Sequence, residues 1–222
     1  MNFLQLCQRL RSEAGIPGDG PTTVVSQTGQ LLRVVQWIEE AYESIQSLHA
    51  NWQFLQTSFS FSTIAGQAEY TPTGVSLTDL LNWKVDDFRV YLNASDENYL
   101  IYEPWETFRP NYQFGALRSQ SARPTVFTVK PNKSLFFWAI PDTVYTIDGQ
   151  YFKTPDVLSG DIDSPLFDAP FHMAIVWRAL MLYAGALGAP DAYSHARHEY
   201  RKVMFKLEFD QLPKMTFGAP LA

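Results

Sequence analysis

The chain has 222 residues, of which 46% are apolar and 15% aromatic, a composition that excludes intrinsic disorder and predicts a large core. Its formal charge of −6 argues against a protein that binds duplex DNA, which would normally carry a basic surface. The single cysteine, Cys7, excludes an internal disulfide framework and a cysteine-based zinc site. Because only 18% of the residues are charged, we expect apolar surface that a partner or a symmetric assembly covers.

Two helices are predicted at the N-terminal end. Asn2 can cap the first helix, and Gly15 ends it. The second is a long helix of residues 31–55, because apolar residues recur there at alternating spacings of three and four. These residues are Leu31, Val34, Ile38, Ala41, Ile45, Leu48, Trp52 and Leu55. A two-stranded coiled coil is the alternative interpretation, although charged residues beside the stripe are sparse.

The middle of the chain changes to a period of two, which is typical of β-strands. Phe59 and Phe61 alternate with serines in the first predicted strand. Further predicted strands are residues 68–71, 84–92, 99–103, 125–130, 134–139 and 143–152. Residues 131–133 predict a hairpin turn, and residues 148–149 (Asp-Gly) predict a second turn. Short strands with little helix between them favour an antiparallel sheet or a small barrel.

An acidic, proline-rich loop follows the strands and leads into two further helices. The aspartates of this loop are Asp156, Asp161, Asp163 and Asp168. Pro170 suits the first turn of a helix that Gly188 ends. Asp191 can start a last helix, which Pro213 ends.

The predicted fold class is therefore α+β, with an antiparallel helical bundle formed by the N- and C-terminal helices and an inserted antiparallel β-sheet or small barrel. The predicted domains are residues 1–56 with 156–212 for the bundle, residues 57–155 for the β-rich insertion, and residues 213–222 for an extended C-terminal docking tail. No signal peptide or membrane span is expected, because the apolar run of residues 173–189 contains Arg178 and is shorter than a bilayer requires. We expect a soluble chain made in a reducing cytoplasm.

Catalytic and metal-binding patterns are weak throughout the sequence. His195 and His198 lie one helical turn apart but lack the order of a metalloprotease motif and a third ligand. The loop aspartates could gather a calcium ion, yet helix capping and an acidic surface explain them as well. Glu103, Glu106 and Trp105 are compatible with a carbohydrate-binding or hydrolytic module. We expect no enzymatic activity, no cofactor and no metal.

Two segments resemble the head–tail adaptor family of tailed bacteriophages, whose members are also described as connector, head-completion or tail tubular protein A-like proteins. The first is RVVQWIEEAYESIQSLHANWQFL, residues 33–55, in which Trp52-Gln53-Phe54 lies close to the end of the predicted helix. The second is residues 134–184, where a proline-aspartate pair and a tyrosine strand lead through the acidic loop into an apolar helix. Together the two segments cover about a third of the chain.

The resemblance implies a structural virion protein. It would form a ring, usually of twelve copies, that joins the portal at the capsid vertex to the tail and extends the DNA channel. Its partners would be other copies of itself, the portal protein and a downstream tail or connector protein, with no membrane and no specific binding to the passing DNA. Its location would be the capsid–tail junction of the virion, and the host cytoplasm during assembly. Another tail component, such as a tail-tube or tail-completion protein, is the alternative.

Candidate interface residues come from the aromatic positions of the helices and from the tail. Those expected in the core or at a subunit interface are Trp37, Tyr42, Trp52, Trp177 and Tyr183. Met215 and Phe217 are candidates for an interface alone, since an apolar pair in an irregular tail usually indicates a contact. The acidic composition suits a channel through which DNA must pass without being held.

Overall fold

A computed structural model describes residues 1–18, 20–93 and 95–213 of the chain. These residues form a mixed α+β structure, as predicted. The helices are α1 (Phe3–Glu13), α2 (Gly29–Gln46), α3 (Trp105–Tyr112), α4 (Met173–Leu187) and α5 (Pro190–Gln211). The strands are β1 (Gln56–Ser62), β2 (Glu69–Tyr70), β3 (Leu80–Tyr91), β4 (Asn98–Tyr99), β5 (Ile101–Tyr102), β6 (Val126–Val129), β7 (Leu135–Trp138) and β8 (Thr146–Lys153).

The chain divides into two compact units. The helical unit consists of Met1–Leu55 and the chain from Pro155 onward, and the β unit consists of Gln56–Thr154. Each unit has its own cluster of buried apolar residues.

The helical unit is organised around α4, which packs against α1, α2 and α5. Asn2 caps α1 with a capping box, since its side chain accepts a hydrogen bond from the Gln5 amide while the Gln5 side chain accepts one from the Asn2 amide. Gly188 ends α4 in the left-handed conformation with φ of 65°, which glycine adopts without a steric penalty. Both terminal signals were predicted from the sequence and are confirmed.

The predicted long helix of residues 31–55 is wrong in its C-terminal third, because α2 ends at Gln46. Leu48, which continues the apolar stripe, is 50% exposed. Trp52 lies beyond the helix and is fully buried, and its indole Nε1 donates a hydrogen bond of 3.2 Å to the carbonyl oxygen of Ile45. The Ile45 carbonyl oxygen thus accepts from the indole as well as from the Leu48 amide at the end of the helix, and the chain turns back over its own end.

The β unit contains two four-stranded sheets. The first has the order β1-β8-β3-β4 and is antiparallel throughout, and the second has the order β2-β7-β6-β5. The pair β5–β6 is parallel, which departs from the predicted all-antiparallel arrangement. The predicted strand of residues 99–103 is in fact two strands, since β4 belongs to the first sheet and β5 to the second. Leu100 lies between them with 5% of its surface exposed.

Three further features of the β unit test the sequence predictions. The hairpin over residues 131–133 is confirmed, because β6 and β7 pair in antiparallel register on either side of it. The predicted turn at residues 148–149 is wrong: Gly149 lies inside β8, opposite Phe59 of β1. Helix α3 was not predicted; it contains Pro110, which is a poor helix former.

The apolar segment Ala169–Leu187 could cross a membrane by length and composition alone. The predicted apolar run was residues 173–189. The segment begins earlier than this run, because a 3-10 turn, Ala169–Phe171, precedes α4. Half of the segment is buried inside the structure, and core helices of water-soluble proteins have the same properties.

Candidate assembly surfaces

The acidic segment that precedes α4 is fixed to the helical unit by backbone hydrogen bonds. We call residues 155–168 the acidic loop. The buried Gln46 side chain donates to the carbonyl oxygen of Asp156 at 3.0 Å and accepts from its amide at 2.8 Å. The carbonyl oxygens of Asp161 and Asp163 accept hydrogen bonds from the first amides of α1. These contacts satisfy donors that a helix N-terminus leaves free, so the loop has a defined conformation.

The carboxylates of the acidic loop are also used within the fold. Asp161 Oδ1 accepts from the Val24 amide at 2.6 Å. Asp163 Oδ2 accepts from the amides of Ser159 and Gly160, and these hydrogen bonds lower the pKa of Asp163. Among the described residues, no group of three or more His, Cys, Asp or Glu side chains is placed to hold a metal ion. The loop aspartates therefore shape and charge this surface.

Three apolar side chains of the acidic loop face solvent. Val157 is 70% exposed, Ile162 is 84% exposed, and Leu166 is 44% exposed. Leu158 and Phe167 alternate with them and are buried in the core of the helical unit. The loop thus packs Leu158, Pro165 and Phe167 inward and presents three apolar side chains outward, close to its negative charges.

A second apolar surface lies on α5. Phe205 and Phe209 are each 71% exposed and lie one helical turn apart. They are on the side of α5 opposite to its buried residues, which are Ala196, Met204 and Leu207. Arg201 and Lys202 lie one turn before Phe205 and are also exposed. We call these four exposed residues the α5 face.

Neither surface was predicted from the sequence, although the sequence contains a signal for each. On α5 the buried residues Ala196, Met204 and Leu207 lie at helical spacing on one side, so a phenylalanine outside this set, such as Phe205, indicates an apolar residue on the exposed side. In the acidic loop, the isoleucine between two aspartates is the corresponding signal.

The structure brings two predicted interface residues together. The Trp37 and Tyr183 rings meet edge to face with their centroids 5.4 Å apart, and both are partly exposed. With Arg33 they line a cavity of about 300 Å³. Trp177 is partly exposed and packs edge-on against His195 at 5.7 Å.

Tyr42 and Trp52 lie in the core of the helical unit, at 1% and 0% exposure. The Tyr42 hydroxyl accepts a hydrogen bond from the Leu166 amide at 3.0 Å and donates one to Asp156 at 3.4 Å. It therefore holds both ends of the acidic loop. Burial is the main cause of a raised Tyr42 pKa. The other two candidate interface residues, Met215 and Phe217, lie outside the described residues.

The weak chemical patterns of the sequence acquire structural roles. His195 and His198 are exposed, and each lies near the carboxylate of Glu199. Glu103 accepts a hydrogen bond from the Tyr112 hydroxyl at 3.1 Å, beside α3. Burial raises the pKa of the Cys7 thiol to about 12, so at neutral pH this cysteine is a protonated core residue rather than a nucleophile.

Exposed apolar residues grouped with charges on firmly packed elements are characteristic of a structural protein that works by contacting other chains. A family model described as SU10 adaptor protein matches residues 1–220, and the chain belongs to this family. No curated protein matches the chain. The family confirms the resemblance to phage head–tail adaptors. The protein is accordingly a phage structural adaptor that resides in the virion and contacts other virion components.

Proposed function

We propose that the chain forms a ring that joins the portal at the capsid vertex to the tail and extends the DNA channel. The observation that carries this proposal is the match to a phage adaptor family along residues 1–220, which includes both units. The ring would be a dodecamer in the virion, with the portal protein on one side and a tail or connector protein on the other. The chain would assemble from the host cytoplasm without a membrane.

In this proposal the two compact units act as separate domains. Helices α1, α2, α4 and α5 form an antiparallel bundle at the ring wall, and the contacts of α4 with the other three support that arrangement. The partly exposed Trp37, Trp177 and Tyr183 are the aromatic interface residues. The tail with Met215 and Phe217 docks into a partner ring.

The negative charge of the chain supports a channel that surrounds DNA but does not bind it tightly. Each copy contributes a formal charge of −6, so a ring of many copies repels phosphate at distances within the Debye length. Specific or tight DNA binding would instead require basic residues that neutralise phosphates. DNA would therefore pass through the channel without a sequence-specific contact.

The test uses DNA-filled particles that carry the portal but lack this chain. Purified protein is added, and the portal vertex is imaged by electron microscopy. A new ring below the portal, together with recovery of tail attachment, supports the proposal. Binding to isolated tails but not to the particles would contradict it and favour a tail-tube or tail-completion protein.

A truncation sharpens the same experiment. Because α5 ends at Gln211, deletion of residues 214–222 leaves every described helix and strand complete and should leave the melting temperature unchanged. We expect the truncated chain to bind the particles more weakly than the full chain. Equal binding of the two would exclude the proposed docking role of the tail.

A further inference from the structure

We propose that the open edge of β1 binds an extended segment of the tail or connector protein. The segment adds to the first sheet as a fifth strand and places one large apolar side chain in a cavity that β1 and β2 line. This inference rests on the proposed ring and specifies how the ring holds one of its two partners.

Strand β1 is an edge strand without the usual protection against pairing. In the described part of the β unit, the two sheets have four edge strands, of which β2, β4 and β5 have two residues each and β1 has seven. Proteins keep edges from pairing by shortening them or by adding charges, prolines or bulges. Strand β1 contains no charged residue and no proline, and it pairs with β8 in continuous register. It is therefore suited to accept another strand.

The backbone groups on the open side of β1 can be assigned from its register. The amide of Thr63, which follows β1, donates a hydrogen bond of 2.8 Å to the carbonyl oxygen of Tyr145 in the same register. Bonded and non-bonded pairs alternate along an antiparallel ladder, so the amides and carbonyls of Ser58, Ser60 and Ser62 point away from β8. All three serines are exposed. They form a row of donors and acceptors about 7 Å apart, which an extended backbone matches.

A cavity of about 200 Å³ adjoins the end of this row. It is lined by Phe61 and Ser62 of β1, by Tyr70 of β2, and by Ile64 and Val75. Ile64 is 58% exposed, so the cavity has an apolar rim that is open to solvent. A cavity of about 150 Å³ is sufficient for a benzene ring. The cavity can therefore receive one leucine or phenylalanine side chain of an added strand.

The charges around the cavity favour an uncharged segment. Glu69 also lines the cavity, but its carboxylate lies 2.6 Å from the Lys130 ammonium. Because this charge already has a partner, a charged side chain in the cavity would lose water without gaining an ion pair. We therefore expect a segment of uncharged residues with apolar side chains at alternate positions.

A second copy of β1 is a poorer occupant than a different protein. Two identical edges pair about a two-fold axis and stop at a dimer, whereas the proposed ring needs a contact that repeats around it. A second β1 would also bring only serines to the cavity, because Phe59 and Phe61 pack within its own core. The proposed function already gives the C-terminal tail to the portal-bearing particle. The edge of β1 is then left for the tail or connector protein.

The test removes one outward amide from β1. Ser60→Pro deletes an N–H that does not bond to β8, and edge strands accept proline at such positions. Ser60→Thr is the matched control, since it keeps the amide. We expect both variants to add a normal ring to portal-bearing particles, but Ser60→Pro should lower the attachment of purified tails at least about tenfold. Circular dichroism melting curves of the two variants should match that of the parent.

A second pair of variants tests the cavity and does not alter the backbone. Ile64→Asp places a charge at the rim, and Leu92→Asp places the same charge at an exposed apolar residue of the β unit that does not line the cavity. Only Ile64→Asp should weaken tail attachment. Equal attachment by these two variants, or by Ser60→Pro and Ser60→Thr, would contradict the proposal.

Hydrogen exchange at single-residue resolution identifies strand addition directly. It is measured on the free chain, on the ring bound to particles, and on the same particles after tails are added. The amides of Ser58, Ser60 and Ser62 should become at least tenfold slower only in the last step, while those of Phe59 and Phe61, which point towards β8, should change little. Uniform change or no change would overturn the strand. Slowing at the ring step would mean that a second copy or the portal occupies the edge.

These outcomes are distinct from failure of the proposed function. If the parent chain adds no ring to the particles, the ring itself is wrong. If the ring forms and Ser60→Pro attaches tails as the parent does, the ring stands and only the β1 contact is wrong.

Discussion

The helical unit and the β unit build their cores from different side chains. The helical unit buries mainly aliphatic and small residues, with a few aromatic rings near the acidic loop. The β unit instead buries a continuous set of rings, in which Phe88 and Phe127 stack with centroids 4.4 Å apart. Other buried rings of this set are Phe59, Tyr70, Trp83, Phe137 and Tyr151, and the partly buried Phe61 packs against them.

This difference changes the meaning of the high aromatic content. Composition alone suggested that the rings form intersubunit faces, but many of them fill the β unit instead. In the helical unit, by contrast, Ile162 and Phe205 are apolar residues that lie exposed at the surface. In the β unit, the high aromatic content therefore indicates a core. In the helical unit, an apolar residue that lies outside the buried pattern indicates a surface.

The largest expected effect is in the helical unit, at Trp52. Trp52→Ala removes a fully buried ring and its hydrogen bond to Ile45, and should lower the free energy of unfolding by about 3–5 kcal/mol. Chemical denaturation monitored by circular dichroism measures this change in the free energy of unfolding. Trp37→Ala is the control, since that ring is partly exposed and its loss should cost clearly less. Equal losses for the two variants would contradict the assignment of Trp52 to the core.

A second prediction concerns the tether of the acidic loop. Gln46→Ala leaves the partly buried amide and carbonyl groups of Asp156 without their partner, which should cost about 1–3 kcal/mol. Gln36→Ala, at an exposed position of α2, should change the free energy of unfolding by less than about 0.5 kcal/mol. Hydrogen exchange should accelerate at Asp156 in the first variant only. Unchanged exchange there would show that Gln46 does not hold the loop.

A third prediction compares two glycines, one in each unit. A Cβ at Gly149 would lie 3.1 Å from the rings of Phe59 and Phe88, so Gly149→Ala should destabilise the chain by about 1–3 kcal/mol. In α4 a Cβ at Gly185 meets nothing within 4 Å, and Gly185→Ala should stabilise the chain by about 0.5–1 kcal/mol. Thermal unfolding of the two variants should therefore shift in opposite directions.

Gly149 also shows where sequence reasoning fails. Asp148-Gly149 has the composition of a hairpin turn, but the glycine instead lets two rings from other strands approach β8. That requirement arises from residues far away in sequence, and no local pattern contains it. The same holds for Trp52. Its spacing continues the pattern of α2, but it is buried because the chain turns back after the helix ends.

Local signals were sufficient at other positions. The caps at Asn2 and Gly188 and the hairpin of β6 and β7 depend on a few neighbouring residues, and the sequence predicted all three. The candidate surfaces were harder to predict. Which side chains of α5 and of the acidic loop are exposed depends on the other elements of the fold that pack against them. Ile162 and Phe205 are recognisable as surface residues only against the buried set of the finished fold.

The smallest expected effect is the pH dependence of the helical unit through His172. This side chain is buried at the start of α4, and its Nε2 lies 2.9 Å from the carbonyl oxygen of Phe167. Burial is the main cause of a lowered His172 pKa, so the folded chain binds a proton less readily than the unfolded chain. The contribution of neutral His172 to the free energy of unfolding is therefore fully present above the unfolded pKa of about 6.5. It is lost as the pH falls from there through the lower pKa of the folded chain.

The measurement is the free energy of unfolding in denaturant between pH 8 and pH 5. His172→Gln should be less stable than the parent at pH 8, but its stability should fall less steeply below pH 6.5. His198→Gln, at an exposed position, should keep the slope of the parent chain. If His172→Gln retains the full slope, the loss of stability in acid comes from other groups. Protonation of His172 would then not be what destabilises the folded chain in acid.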